Sequence, residues 1–102
     1  MTKAEIIRII AEKTGIHRVD ILVILESYFA EVKNSLTEGE PIYVRGFATF
    51  YIKKRAAKIG RNVKKNLPVP IPENFIPGFK PCREFMDAVR GATENRRLER
   101  HV

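Results

Sequence analysis

Apolar positions follow a helical period through the first third of the chain and a strand period through the middle, and they thin out between the two strand-like stretches. Ile6, Ile7, Ile10 and Ala11 recur at helical spacing behind Thr2-Lys3-Ala4-Glu5. That tetrapeptide is a capping box: the Thr2 hydroxyl accepts from the Glu5 amide and the Glu5 carboxylate reaches back to the Thr2 amide. Gly15 is placed to close the helix in a left-handed conformation. A second helix is predicted from His17-Arg18-Val19-Asp20, with Asp20 favoured in the first turn by the helix dipole and His17 standing where Ser or Thr caps best. It runs to about Glu38 and stops at Gly39. Its inward face is Ile21, Leu22, Leu25, Phe29, Val32 and Leu36, while Val23, Ile24 and Tyr28 add apolar surface outside any single stripe. A helix apolar on more than one side must be buried on more than one side. The chain has few other elements to cover it, so the pattern predicts a partner subunit.

From Pro41 the period becomes two. Ile42 and Val44 alternate with Tyr43 and Arg45, Gly46 turns the chain, and Phe47-Ala48-Thr49-Phe50-Tyr51-Ile52 follows, rich in strand formers. Apolar residues then become sparse until Leu67, after which Pro68, Pro70 and Pro72 punctuate a Val69/Ile71 alternation typical of an edge strand. Residues 53–71 therefore read as a long two-stranded ribbon with its tip near Asn62 to Asn66, projecting from the body because it has little to pack against. A third helix is predicted from about Arg83 to Arg90, turning Phe85, Met86 and Val89 inward, and residues 91–102 form a polar tail.

Charge changes this picture most. The chain has 19 basic and 12 acidic residues among 102, a formal charge of +7. Between Pro41 and Pro72 stand Arg45, Lys53, Lys54, Arg55, Lys58, Arg61, Lys64 and Lys65 with no acidic residue, so the remainder is close to neutral. A solvated surface mixes signs, whereas a block of one sign is the footprint of a polyanion binder.

What is missing narrows the function further. No apolar run approaches the roughly 18 residues of a membrane span, and the N-terminus lacks a signal-peptide layout, so a cytoplasmic protein is expected. The single cysteine, Cys82, rules out an internal disulfide and reads as a small buried or half-buried residue at the start of the third helix. Two histidines 84 positions apart give no metal spacing. Neither a phosphate-binding glycine loop nor a nucleophile–base set is present. No enzyme and no cofactor are expected.

Four blocks, Gly46-Phe47-Ala48-Thr49-Phe50, Arg55-Ala56-Ala57-Lys58, Gly60-Arg61-Asn62 and Ile76-Pro77-Gly78-Phe79-Lys80-Pro81, resemble the bacterial histone-like family of HU and integration host factor. The resemblance covers residues 1 to about 90. It implies an α+β fold: a helical base, a three-stranded antiparallel sheet with a protruding β-ribbon arm, a short C-terminal helix, and an intertwined dimer. It implies double-stranded DNA as partner, a second copy or a paralogue as the other subunit, and a place in the bacterial nucleoid. The arms would curl into the minor groove and bend or compact the duplex, mainly non-specifically.

Nine extended residues, Arg55 to Val63, span about 30 Å at roughly 3.3 Å each, enough to pass around a duplex. Arg61 and Asn62 suit a groove that attracts guanidinium and offers mostly acceptors. The resemblance assigns DNA contact to Lys3, Arg45, Gly46, Lys53, Arg55, Lys58, Arg61, Asn62, Val63, Lys64, Lys65, Lys80 and Arg83, and a dimer core to Leu25, Phe29, Phe47, Phe50 and Phe79. Where the family's tip reads Arg-Asn-Pro, with a proline that wedges into the base stack, this chain has Val63, which is apolar and stiff at χ1 but lacks the flat ring. Two other readings compete. One is an RNA-binding or ribosome-associated protein using the same hairpin. The other is a heterodimer subunit or scaffold that recruits protein through Asn95-Arg96-Arg97-Leu98.

Overall fold

The Thr2 hydroxyl accepts from the Glu5 amide at 3.2 Å and opens α1 (Lys3–Thr14), which Gly15 ends at φ +74° with its N–H on the Ala11 carbonyl. His17 caps α2 (Arg18–Thr37) after all, its Nδ1 accepting from the Val19 amide at 3.3 Å. The helix finishes at Glu38, and Gly39 takes a positive φ of 87°. These contacts come from a computed structural model, which describes residues 1–62, 64 and 67–100, with the backbone alone at 62 and 97–100.

Beyond α2 the chain forms β1 (Ile42–Val44), β2 (Ala48–Arg55), β3 (Lys58–Asn62), β4 (Leu67–Ile71) and β5 (Asn74–Pro81), then α3 (Arg83–Arg100). One sheet is antiparallel in the order β1-β2-β5; β3 and β4 pair separately as an antiparallel ladder. The α+β architecture with a projecting ribbon is therefore present.

The ribbon is not continuous, however. β2 and β5 pair as far as Arg55 with Asn74, and pairing resumes three residues on with Lys58 opposite Ile71. Two residues on each strand, Ala56-Ala57 and Pro72-Glu73, lie unpaired between the ladders. Proline explains the break. In an antiparallel ladder every second facing pair exchanges two N–H···O bonds. The N–H of Cys82 donates to the Phe47 carbonyl at 2.8 Å, and Pro77 and Pro81 have no N–H. The exchanging pairs on the body are therefore Thr49–Lys80, Tyr51–Gly78, Lys53–Ile76 and Arg55–Asn74. The next in that series would be Ala57–Pro72, where the donor is absent. Pro68 and Pro70 impose the opposite phase on the outer ladder, whose exchanging pairs are Lys58–Ile71, Gly60–Val69 and Asn62–Leu67. The two phases meet only across an irregular step.

α3 also differs from expectation, running on to Arg100 instead of stopping near Arg90. Gly91, the first residue past the predicted end, keeps a negative φ, and Ala92, Glu94, Arg96 and Arg97 after it are good helix formers with no proline among them. Its N-terminus is capped by the Cys82 sulfur, which accepts from the Phe85 amide at 3.4 Å.

Very little of this chain is buried. Among the described residues only Ile7, Ile21 and Ala48 are buried apolar side chains. Phe47, Phe50, Phe79 and Phe85 form a ring cluster, with Phe47 stacked on Phe85 at 5.5 Å and Phe50 tilted against Phe79 at 5.5 Å. Even so, Phe47 stays 41% exposed and Phe79 48%. An open apolar cleft of about 830 Å³ lies between α2 and the sheet, lined by Val32, Leu36, Phe50, Ile52 and Phe79. The radius of gyration, 19.7 Å, far exceeds the roughly 13 Å of a compact chain this long.

Candidate nucleic-acid interface

The faces of β2 divide its chemistry. Side chains of the exchanging pairs share one face, which gathers Thr49, Tyr51, Lys53 and Arg55 with Lys80 of β5. Phe50, Ile52 and Phe79 alternate onto the other face, against the cleft under α2. A cationic face thus backs directly on the apolar one. Lys54 falls with the apolar set and turns aside to pair with Glu73 at 3.4 Å, at the foot of the arm.

Flanking positions extend the cationic face sideways. Arg45 and Gly46 form the tight turn between β1 and β2, with Gly46 at φ +78°, a conformation that favours glycine. Arg45, Gly46, Lys80 and Arg83 line one shallow cleft with Tyr43, Thr49 and Cys82. Arg83, the first residue of α3, has a 91% exposed side chain, held only loosely by Asp87 at 3.9 Å. Lys3 is further from this group in sequence and is ion-paired with Glu26 of α2, both about half exposed.

The arm supplies the rest. Lys58 and Arg61 stand exposed on β3, the backbone of Asn62 ends that strand, and Lys64 lies exposed in the turn. Val63 and Lys65, two expected contacts, lie outside the described residues. Thr49 and Tyr51 share the face of Lys53 and Arg55 through the period-two alternation of β2.

Among the expected dimer-core residues, Leu25 and Phe50 are half-buried, while Phe29, Phe47 and Phe79 are 41–48% exposed in the single chain. Phenylalanines clustered with one another yet left open to water are what a subunit interface looks like before it closes. Among the described residues no group of His, Cys, Asp and Glu could hold a metal ion, and no helix is long and apolar enough to cross a membrane.

The sequence profile of the bacterial DNA-binding protein family matches residues 1–90, the whole of the body and the arm. The chain belongs to that family, the one of HU and integration host factor. The HU protein of Thermotoga maritima is 34% identical over 90 residues, covering 88% of this chain and all of its relative. The beta subunit of integration host factor from Alkalilimnicola ehrlichii is 35% identical over 96 residues, covering 93% of this chain and 96% of that one. Among solved structures, a cocrystal of Anabaena HU with DNA superposes with a TM-score of 0.83 at 27% identity, over 87% of this chain and 97% of that one. Within this HU-like frame, residues 91–100 of α3 lie beyond the span that the family profile matches.

Proposed function

We propose that the protein is a histone-like, nucleoid-associated DNA-binding protein, not an enzyme, which acts as a dimer. Its two arms pass around duplex DNA in the minor groove and bend or compact it, mainly without sequence preference. One observation supports the reading: of the eight basic residues between Pro41 and Pro72, Arg45, Lys53, Arg55, Lys58, Arg61 and Lys64 belong to the turn, the cationic face and the arm of an HU-like fold, and that stretch of sequence holds no acid. Lys53, Arg55 and Lys80 form the saddle that receives the duplex, and Arg45, Gly46 and Arg83 meet phosphates on its flank. Lys58, Arg61, Asn62, Val63, Lys64 and Lys65 follow the groove. Lys3 joins them when it exchanges Glu26 for a phosphate. The apolar surface around Phe29, Phe47 and Phe79 supports a second copy, or a paralogous chain, as the other half of the core.

A gel-shift series on linear, nicked and pre-bent duplexes of one length tests this. Binding to all three, tighter where the bend already exists, is the expected result, because pre-bent DNA removes the deformation cost. Retardation of double-stranded RNA in preference to DNA would refute it, since the shallow minor groove of RNA accepts arms poorly.

A further inference from the structure

The two strands of the arm are chemically unlike. β3 carries Lys58 and Arg61, whereas β4, Leu67-Pro68-Val69-Pro70-Ile71, carries no charge. The difference extends to the backbone. Because Lys58, Gly60 and Asn62 exchange hydrogen bonds with Ile71, Val69 and Leu67, the residues between them turn their backbone groups outward, away from the ribbon. On β3 these are Ile59 and Arg61, each offering an N–H and a carbonyl. On β4 they are Pro68 and Pro70, which offer carbonyls alone. Ile59 is 76% exposed, so nothing in the chain itself shields that strand.

A duplex presents phosphate oxygens along both groove walls and mostly acceptors on the minor-groove floor. An edge made only of carbonyls meets such a surface acceptor against acceptor, losing hydration without gaining a partner. An edge with outward N–H groups and two cations finds partners throughout. We propose that the arm is one-sided: the β3 edge, with the N–H groups of Ile59 and Arg61 and the side chains of Lys58 and Arg61, lies against the duplex, and the β4 edge faces away. This assignment rests on the DNA-binding reading above and adds an orientation to it.

Amide exchange in the isotope-labelled full-length protein reads the orientation directly. The Ile59 and Arg61 amides point to solvent in the free protein, and adding a duplex slows their exchange by at least about tenfold. Charge transplants give a second reading. Arg61→Gln with Pro68→Arg, and separately Lys58→Gln with Ile71→Lys, move one charge to its cross-strand partner and keep the net charge constant. The second pair leaves every proline in place, so it stands even if the first disturbs the ribbon. Each transplant is expected to bind duplex as weakly as its single Gln variant. Recovery to within about twofold of native affinity, or native-like binding with Ile59 and Arg61 still exchanging freely, overturns the one-sided arm. A native protein that fails to retard any duplex overturns the DNA-binding reading itself.

Discussion

The ring of Tyr51 lies over the Cα of Gly78, its cross-strand partner, so closely that a methyl group there would sit 2.6 Å from the ring's Cζ and 2.9 Å from both Cε atoms. Gly78 has an ordinary negative φ, so space and not backbone conformation requires the glycine. Gly78→Ala should displace the ring and cost about 1–3 kcal/mol, the usual range for overpacking. In a Tyr51→Ala background the same change should cost almost nothing. Chemical denaturation of the four proteins in this cycle checks the coupling, and equal costs in both backgrounds would contradict the contact.

Stability should rise with protomer concentration, because only three apolar side chains among the described residues are buried before a partner arrives. Phe47→Ala or Phe79→Ala should cost roughly 3–5 kcal/mol, as for a buried phenylalanine, although both are half exposed in one chain. Sedimentation with thermal melts over a range of concentrations tests this. A folded, monodisperse monomer at micromolar concentration is the adverse outcome.

DNA affinity should be steeply salt-dependent. If about half of the arm and saddle cations of a dimer meet phosphates, the plot of log K against log salt slopes near −7. A slope shallower than about −3 is incompatible with wrapping arms. Replacing Arg55, Lys58 and Arg61 together with Gln should abolish tight binding and leave the melting temperature nearly unchanged, since all three are exposed and unpaired in the ion pairs described.

A β-carbon built on Gly91 meets nothing within 4 Å, and its φ is not positive. Gly91→Ala should therefore strengthen the outer half of α3 by about 1 kcal/mol, the helix-propensity difference. Slower amide exchange at residues 92–96 would register it. Faster exchange there would mean that the glycine has a structural duty beyond filling a helix position.

Caps, periods and charge made most of the architecture legible in advance. Thr2, Gly15 and Gly46 behave as their local chemistry demands, and Lys53 and Arg55 share one face of β2. The continuation of α3 is not legible because residues 91–102 read as a polar tail with few apolar positions to mark a helical period, and Gly91, without a left-handed φ, does not end the helix. The ladder break was missed for another reason. Its signal is a relation between distant prolines, even-numbered at 68, 70 and 72 and odd-numbered at 77 and 81, which no local pattern displays. The Lys3–Glu26 pair, 23 residues apart, depends on how α1 lies on α2 and has no sequence signature.

The scarcity of buried side chains also governs which chain a protomer ends up with. Where an interface supplies the core, pulling two subunits apart means unfolding them, so exchange can proceed no faster than global unfolding. For many small domains that takes seconds to days. Pairing is then decided while the chains fold and retained afterwards. In a cell that also makes a related chain, the relative rates and sites of synthesis, more than equilibrium preference, would set the proportions of like and unlike pairs. Two labelled pools of finished protein, mixed and left to stand, should remain unmixed for as long as the protein takes to unfold.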